Sequence, residues 1–370
     1  MTQAARPIIT LVTGGLGFIG SALVRRLIEH TGGTVVVLDA ETYAASPEAV
    51  AMCKPTGRYH LEKGDIRDAG RVRAVFEAWR PDRVVHLAAE THVDRSIDGP
   101  GAFIETNITG AYVLLQAARA HLDTLDTAAR ASFRFLHVST DEVYGSLGPN
   151  DPAFSETTRY DPRSPYAASK AASDHLARAW GETFGLPVMI SNCSNNYGPW
   201  QHPEKLIPHM IARAISGQSL PVYGDGSNVR DWLHVDDHAR ALHLILERGR
   251  AGDTFNIGGG AERTNLQVVH ALCAALDARF PEAAPHSDLI AFVADRPGHD
   301  FRYAMDHSKL TAALGWTPVH DFEDALKGVL DWYLEHEDWW RRVLARSGGA
   351  QRRGLGAQTG PAASGEDAST

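Results

Sequence analysis

A short apolar run that leads directly into a glycine-rich turn is the feature that most constrains the fold of this chain. Residues 8–12 are mainly apolar, the sequence TGGLGFIG follows at 13–20, and residues 21–30 have a helical hydrophobic pattern. Strand, tight turn and helix in this order form the first unit of an α/β fold. Bare backbone N–H groups at the start of such a helix attract phosphate, which predicts a dinucleotide cradle. The glycines expected to approach the ligand are Gly14, Gly17 and Gly20, or Gly15 in place of Gly14.

The first half of the chain repeats this alternation of short apolar runs and helical segments. The run at 35–38 reads Val-Val-Val-Leu without a polar break, which is typical of a strand that is buried on both faces. The sequence therefore predicts an α/β fold with a Rossmann-type, doubly wound parallel sheet. The segments predicted as strands are 8–12, 34–38, 83–87, 133–138 and 188–191.

After residue 195 the spacing of the elements becomes less regular, with Pro/Gly-rich joints between predicted helices near 205–216, 235–249, 265–278 and 323–345. The last segment is dominated by Gly, Ala, Ser, Thr and Gln. We expect an NAD-binding Rossmann domain at 1–195, a smaller α/β substrate-binding lobe at 196–346 and a disordered tail at 347–370, with some segments of the lobe returning to the first domain.

Asp39 stands at the end of the second predicted strand, nineteen residues after Gly20. A carboxylate at this position can accept both ribose hydroxyls of an adenosine and repels a 2′-phosphate. The sequence therefore favours NAD over NADP as the cofactor.

Tyr166 and Lys170 are four residues apart in a segment that begins with a helix-capping signal. Ser164 can cap the helix and Pro165 suits its first turn. Side chains at i and i+4 lie on one helix face, so we expect the ammonium to lower the pKa of the phenol and make it a usable base.

Thr140, Asp141 and Glu142 follow the fourth strand predicted for the parallel sheet. Acidic residues at the carboxyl edge of such a sheet are suited to acid/base catalysis if their pKa values separate. Taken alone, the pair is more typical of a solvated turn with an acidic N-cap than of a catalytic site.

Composition excludes several classes of partner. The formal net charge of −9 gives no positive field for nucleic acid or an anionic membrane. Three widely spaced cysteines fit a reducing compartment, and no segment resembles a signal peptide or a membrane span, so we expect a cytoplasmic protein. With eighteen histidines in the chain, the spacing of His234 and His238 is not evidence for a metal site, and none is predicted.

Several longer words carry a family resemblance. They are LAAETHVDRS at 87–96, STDEVYG at 139–145, NCSNNYGP at 192–199, RDW at 230–232 and ADRPGHD at 294–300. With the glycine turn and the Tyr/Lys pair, they make the chain resemble extended short-chain dehydrogenases/reductases that act on nucleotide sugars. From about residue 8 to 340 it is similar to the dTDP-glucose 4,6-dehydratase family.

This resemblance implies a hydro-lyase that uses transient oxidation at C4 of the sugar. Tyr166 would take the proton of the 4-hydroxyl, Thr140 would hydrogen-bond that oxygen, and Lys170 would hold the nicotinamide ribose. Glu142 would then abstract the C5 proton while Asp141 protonates the departing 6-hydroxyl.

The resemblance also implies the contacts of both ligands and a homodimer formed through helices near 101–120 and 166–185. Besides Tyr166 and Lys170, the expected cofactor contacts are Gly14, Gly17, Phe18, Ile19, Gly20, Asp39, Thr42, Asp65, Ile66, Leu87, Ala88, Ala89, Thr106 and Asn196. The expected contacts of the nucleotide sugar are Thr91, Thr140, Asn195, Lys205, Leu206, Pro221, Tyr223, Arg230, Asn265, Asp295 and His299.

Two other functions remain open at this point. A nucleotide-sugar 4-epimerase would use the same fold and cofactor without loss of water, but it has no need of both Asp141 and Glu142. A non-catalytic NAD-responsive binding protein would not need the intact set of reactive residues. The chain departs from the family at Ala40, Ala45 and Ser46, which lie beside the expected adenosine site.

Overall fold

The computed structural model describes residues 6–295 and 298–346, and the tail predicted to be disordered at 347–370 lies outside the described residues. The strands are β1 Ile9–Thr13, β2 Thr34–Asp39, β3 Tyr59–Lys63, β4 Arg83–His86, β5 Arg134–Thr140, β6 Val188–Cys193, β7 Asn195–Tyr197, β8 Leu220–Tyr223, β9 Val229–His234, β10 Thr254–Ile257, β11 Glu262–Thr264 and β12 Ile290–Val293. The α-helices are α1 Phe18–His30, α2 Ala69–Trp79, α3 Val93–Asp98, α4 Pro100–Phe103, α5 Ala111–Asp123, α6 Thr127–Ser132, α7 Pro165–Phe184, α8 Leu206–Ile215, α9 Val235–Arg248, α10 Asn265–Arg279, α11 Ser308–Leu314, α12 Phe322–Glu335 and α13 Glu337–Arg346. Short 3₁₀ segments occupy Pro47–Thr56, Asp141–Tyr144, Pro281–Ala283 and His286–Leu289, and a π-helical turn occupies Ile104–Gly110.

A seven-stranded sheet with the order β10-β6-β5-β4-β1-β2-β3 forms the centre of the molecule. Every neighbouring pair in this sheet is parallel, from β1 with β2 to β6 with β10. The order reverses between β1 and β4, and doubly wound sheets bind their ligands at such a reversal. The predicted Rossmann-type parallel sheet is therefore confirmed.

Helices cover both faces of this sheet, which explains the uninterrupted apolar run in β2. Val36 packs in one core cluster together with residues of α2, α5 and α7, and its neighbour Val37 packs in another together with residues of α1 and α9. Successive side chains of a strand point to opposite faces, so both faces of β2 have to be apolar.

A second region of the molecule contains two smaller sheets and the helices α8, α10, α12 and α13, which share one core cluster. Strands β11, β9 and β7 make one small sheet, and β12 and β8 make another. Their core cluster includes Trp340, Tyr333 and Phe322, from α13 and α12. None of the helices within the described part of the chain is long and apolar enough to cross a bilayer.

The chain returns to the large sheet after it has entered this second region. Strand β10 pairs with β6, and helix α9 packs on the same core cluster as α1. Leu310 and Trp316 also belong to that first cluster. The division into two lobes at residue 195 stays a prediction, together with the return of some lobe segments to the first domain.

The single helix predicted near 323–345 is two helices, because the chain leaves helical geometry at His336. This residue has φ −115° and ψ 34° and is the C-cap of α12. Its backbone N–H donates to the carbonyl of Trp332 at 3.0 Å, and its ring Nδ1 lies 2.8 Å from the same oxygen. The histidine thus closes one helix at the point where α13 begins, a local contact that hydrophobic periodicity does not reveal.

Candidate active site

One cleft opens where the carboxyl ends of β1, β4, β5 and β6 meet. All sixteen residues expected to contact the cofactor line it, together with the five expected catalytic residues. Of the expected sugar contacts, the cleft is lined by Thr91, Thr140, Asn195 and Lys205.

The glycine turn lines one side of the cleft at positions where a side chain would collide with the backbone. Gly14 has φ +71°, and a Cβ added there would lie 2.7 Å from the backbone nitrogen of Ala88. A Cβ on Gly20 would lie 2.1 Å from the carbonyl oxygen of Gly14. The first turn of α1 contains no acidic residue, so its backbone N–H groups face the cleft without a competing carboxylate. This bare helix start fits the pyrophosphate of a dinucleotide.

Asp39 is fixed by two backbone donors at the end of β2. Its Oδ2 accepts from the N–H of Leu16 at 3.0 Å, and its Oδ1 accepts from the N–H of Glu41 at 2.8 Å. Burial raises the pKa of Asp39 from its ordinary value. Each carboxylate oxygen keeps a further lone pair, so the residue still fits the ribose hydroxyls of NAD.

Asp65, which also lines the cleft, is held by a forked contact with Arg67. The Nε of Arg67 lies 3.0 Å and its Nη2 2.7 Å from Oδ2 of the carboxylate. This hydrogen bonding lowers the pKa of Asp65 and keeps it ionised.

Tyr166 and Lys170 lie on α7, which begins as the sequence predicts. Ser164 Oγ accepts from the N–H of Ala167 at 3.0 Å, and Pro165 occupies the first turn. The Tyr166 and Lys170 side chains are both buried. The ammonium of Lys170 donates to the carbonyl of Val138 at 2.9 Å.

The prediction that the pKa of Tyr166 is lowered toward the working pH is wrong for this structure, because other groups outweigh the ammonium of Lys170. Burial, followed by the charge of Glu142, raises the pKa of Tyr166 well above its usual value. The hydroxyl of Thr140 acts in the opposite direction but does not outweigh these effects. Spacing on a helix indicates that the two groups are neighbours, but it does not include desolvation.

Thr140, Asp141 and Glu142 have different environments although they are consecutive. Asp141 is 2% exposed, and its Oδ1 accepts from Thr140 Oγ1 at 3.1 Å. Its Oδ2 is buried and has no hydrogen-bond partner among the described residues. Burial, and then the neighbouring charge of Glu142, raises the pKa of Asp141 well above its usual value. Burial thus favours the protonated, neutral form of Asp141, and the interpretation as a solvated turn is wrong for this residue.

Thr140 and the loop beyond it are also held by the next strand. Asn192 Nδ2 donates to the carbonyl of Thr140 at 3.1 Å, and the N–H of Glu142 donates to Thr140 Oγ1 at 3.3 Å. These bonds fix the backbone from which both acids project. Glu142 is only partly buried and lines the cleft.

Seven expected sugar contacts lie outside the lining of this cleft. Tyr223 contacts a helix of the N-terminal half of the chain, since its hydroxyl donates to Asp94 Oδ2 on α3 at 3.2 Å. His299 Nδ1 lies 2.7 Å from Asp295 Oδ1, and its ring lies 6.2 Å from that of Tyr223. The residues that the structure does not bring into the lining are Leu206, Pro221, Tyr223, Arg230, Asn265, Asp295 and His299.

Arg230, expected to bind the diphosphate, is 5% exposed and is engaged by the protein backbone. Its guanidinium donates to the carbonyls of Val229, Asp300 and Phe301 at 2.7, 3.0 and 3.3 Å. It also lies 4.3 Å from the ring centroid of Tyr303. Its role toward the sugar stays a prediction.

Several lining residues were not predicted as site residues. Ser139 and Ser194 stand directly beside predicted residues and Cys193 ends β6, so the rule that ligands bind at the carboxyl edge could have identified them. Most of the others come from loops, for which the sequence offers no such rule. They include Arg67, Glu90, Gln201 and His202.

Comparison with protein families identifies a single family over most of the chain. The family model described as GDP-mannose 4,6 dehydratase matches residues 11–329. The dTDP-glucose 4,6-dehydratase of Neisseria meningitidis serogroup B is 52% identical over 350 residues, which cover 94% of this chain and 99% of that protein. dTDP-glucose 4,6-dehydratase 1 of Escherichia coli K12 is 52% identical over 337 residues, covering 89% of this chain and 93% of its own length.

Solved structures give the same result. The dTDP-glucose 4,6-dehydratase DesIV of Streptomyces venezuelae, crystallised with NAD bound, matches with a TM-score of 0.83 and 44% identity over 91% of this chain and 100% of its own. The UDP-glucose 4-epimerase of Thermotoga maritima matches with a TM-score of 0.79 but 28% identity, over 89% of this chain and 100% of its own. Dehydratases and epimerases therefore share this fold, and the chain is closer in sequence to the dehydratases.

We predict that Gly20→Ala weakens NAD binding by roughly tenfold or more, because the new Cβ would collide with the Gly14 carbonyl and displace the turn that receives the pyrophosphate. Gly32→Ala is the matched control, since a Cβ at that position meets no atom within 4 Å. Titration of the purified protein with NAD, followed by tryptophan fluorescence, gives both dissociation constants. Equal constants for the two variants would contradict the assignment of the turn.

We further predict that Asp141→Asn stabilises the protein near neutral pH. Since the folded-state pKa of Asp141 lies above its unfolded value, its contribution to stability is complete below the unfolded pKa and is lost as pH rises through the folded pKa. Asparagine does not titrate, so the variant should gain about 1–2 kcal/mol over the wild type near pH 7, and this gain should vanish near pH 4.

Urea unfolding at several pH values measures this difference. The control is Asp123→Asn, at an exposed carboxylate 3.4 Å from Arg130, for which a change within about 0.5 kcal/mol at every pH is expected. A pH-independent effect of Asp141→Asn would show that this carboxyl is not held in its neutral form.

Proposed function

The chain belongs to the nucleotide-sugar 4,6-dehydratases and among them to the dTDP-glucose 4,6-dehydratase family, and from this premise we propose that it converts dTDP-glucose to dTDP-4-keto-6-deoxyglucose and water. It is an NAD-dependent hydro-lyase. The observation that carries the proposal is the pairing of a buried Asp141, whose pKa is raised by burial, with the partly exposed Glu142 at the cleft that also holds Tyr166 and Lys170. A dehydrogenase or an epimerase uses the Tyr/Lys pair but has no step for both acids.

The residues of the cleft fit the cofactor. The bare glycine turn receives the pyrophosphate, Asp39 faces the adenosine ribose and Lys170 is available to the nicotinamide ribose. When bound, NAD would supply a reversible hydride acceptor for C4 and C6 of the sugar, and a positive charge that would favour an anionic Tyr166 oxygen. We assign the cofactor contacts expected from the sequence to these roles.

The protons are moved by the side chains of the protein. Tyr166 Oη takes the proton of the sugar 4-hydroxyl, and the Thr140 hydroxyl hydrogen-bonds the same oxygen. The ketone formed at C4 acidifies the hydrogen on C5, which Glu142 removes. Asp141 donates its proton to the 6-oxygen, which leaves as water, and Glu142 returns its proton to C5. The hydride that leaves C4 is returned to C6, and the proton on Glu142 exchanges with solvent before C5 is protonated. The proton gained by Tyr166 offsets the one lost by Asp141, and exchange with solvent restores both groups, so the reaction is balanced overall.

Two conclusions about the setting of the enzyme are part of the proposal. We propose a homodimer through α5 and α7, where Tyr112 is 43% exposed beside Trp180. We propose a cytoplasmic location, which the three unpaired and buried cysteines support. The other expected contacts of the sugar, among them Tyr223, Arg230 and His299, are assigned to the nucleotide side of the substrate.

Incubation of the purified protein with dTDP-glucose and NAD in heavy water tests the proposal. The expected product is lighter than the substrate by one water, apart from the deuterium that it gains at C5, and mass spectrometry and NMR detect both changes. An isobaric galactose product would support the 4-epimerase instead. Absence of turnover, with NAD still bound, would support the non-catalytic binding protein.

We predict that Glu142→Gln slows elimination more than oxidation at C4. The amide cannot accept the C5 proton, whereas Tyr166 can still remove the 4-hydroxyl proton. The near-ultraviolet absorbance of reduced cofactor should therefore accumulate in a single turnover, although it stays low in the wild type. Glu77→Gln, at an exposed position on α2, is the control and should behave as wild type. Equal slowing of both steps would remove Glu142 from the proposed role.

A further inference from the structure

Asp174 is a completely buried carboxylate on the same helix as the Tyr/Lys pair, one turn after Lys170 and outside the lining of the cleft. An isolated charge in a protein interior is strongly unfavourable unless hydrogen bonds and an opposite charge compensate it. The surroundings of Asp174 provide both, and neither the sequence motifs nor the proposed reaction assigns a role to it.

Four donors surround the Asp174 carboxylate. On one oxygen, Oδ1, it accepts from the ring Nε2 of His137 at 3.0 Å. On Oδ2 it accepts from Ser139 Oγ at 2.8 Å, Tyr160 Oη at 2.9 Å and Asn192 Nδ2 at 3.4 Å. Such saturation is typical of a carboxylate that stays ionised in a dry environment.

Two of these donors are also linked to the backbone that carries the reactive acids. Ser139 directly precedes Thr140, and Asn192 donates from the same Nδ2 to the Thr140 carbonyl at 3.1 Å. Asp174 is therefore connected to the end of β5 as well as to α7.

The charge of Asp174 balances the buried ammonium of Lys170. Burial lowers the pKa of Lys170, and the charge of Asp174 acts in the opposite direction. Burial alone would raise the pKa of Asp174, but the hydrogen bond and the charge interaction with His137, and then the charge of Lys170, outweigh burial and lower it. The two groups thus favour the charged form of each other.

Other titratable groups near the pair do not provide this charge. Burial lowers the pKa values of His86 and His137 on β4 and β5 and raises that of Cys193 on β6, which favours the neutral form of each. Burial likewise raises the pKa values of Tyr144 and Tyr160. Other ionisable groups that face this region include Tyr166 and Arg178 on α7, Asp141 and Glu142 beyond β5, and Glu156, which acts on Tyr144.

We infer that Asp174 is a positioning residue that acts through Lys170: it keeps the ammonium charged and in place, so that Lys170 can hold the cofactor ribose and favour the anionic form of Tyr166. This inference rests on the proposed function for its catalytic part. Its electrostatic part concerns only the two buried side chains and is tested without the sugar.

Asp174→Asn removes the charge with little change in size. Without its partner the buried ammonium loses its proton more readily, so Tyr166 needs a higher pH to act as a base. We expect the acid limb of kcat for dTDP-glucose to move up by about one pH unit, so that the loss of kcat depends on pH and is largest on the acid side. A defect of packing alone would lower kcat by the same factor at every pH and would contradict the inference.

Tyr160→Phe is the matched control. It removes one of the four donors but leaves the carboxylate charge and the other three contacts. Its acid limb should stay where the wild type has it. A shift as large as that of Asp174→Asn would show that the hydrogen-bond network, and not the charge, determines the effect.

A double-mutant cycle with Lys170→Met tests the pair without turnover. NAD dissociation constants and urea unfolding midpoints are measured for the wild type, both single variants and the double variant. In the wild-type background Asp174→Asn should weaken NAD binding several-fold and lower the midpoint. In the Lys170→Met background it should change NAD binding little and lower the midpoint less, because no buried cation is left without a partner.

The inference would be overturned if the losses of the double variant in NAD affinity and stability equalled the sum of the losses of the two single variants. If Asp174→Asn fails to fold, a double variant that also fails to fold would overturn it. Recovery of a folded double variant from an unfolded Asp174→Asn supports it. If the wild type binds NAD but does not convert dTDP-glucose, the proposed function is refuted. The double-mutant cycle can still be interpreted, because it uses only NAD dissociation constants and urea unfolding midpoints.

Discussion

The common direction of the strands in the large sheet is the constraint on which the rest of the structure depends. Because β1, β4, β5 and β6 are parallel, their carboxyl ends open onto the same edge, and the glycine turn lies beside the residues that follow β5. Side chains far apart in sequence, such as Asp39 and Glu142, thereby line one cleft. The chemistry of this protein is a property of that edge.

At this edge of the sheet, different degrees of burial give two neighbouring carboxyl groups different protonation behaviour and therefore different chemical roles. Asp141 and Glu142 are consecutive acids, yet one is withdrawn from water and the other faces the cleft. A neutral acid beside an available base is what elimination requires, since a proton must be given to oxygen and another taken from carbon. The burial that raises the pKa of Asp141 destabilises the folded protein near neutral pH, and the same burial makes Asp141 a suitable proton donor.

The sequence could predict features that depend on local pattern. The double-sided apolar run in β2, the cap at Ser164 and the acid at the end of β2 each follow from rules that involve only near neighbours, and all three lie where the sequence predicts. What it could not predict depends on distant packing. Desolvation of Tyr166 arises from several elements, and the Lys170 contact with Val138 crosses from helix to sheet. For the same reason Asp174 carried no signal, since its donors come from positions 137 to 192.

The return of β10 to the large sheet links the two halves of the chain in a way that a boundary drawn at residue 195 does not show. A fragment ending there would leave the outer edge of β6 with unpaired backbone groups, a template for association with other chains. It would also uncover the apolar face of α1 that α9 occupies. During synthesis, the sheet of the first half is therefore completed only after more than fifty further residues, roughly up to Ile257, have been added. Until then its exposed strand edge and apolar surface favour aggregation, from which chaperones protect nascent chains.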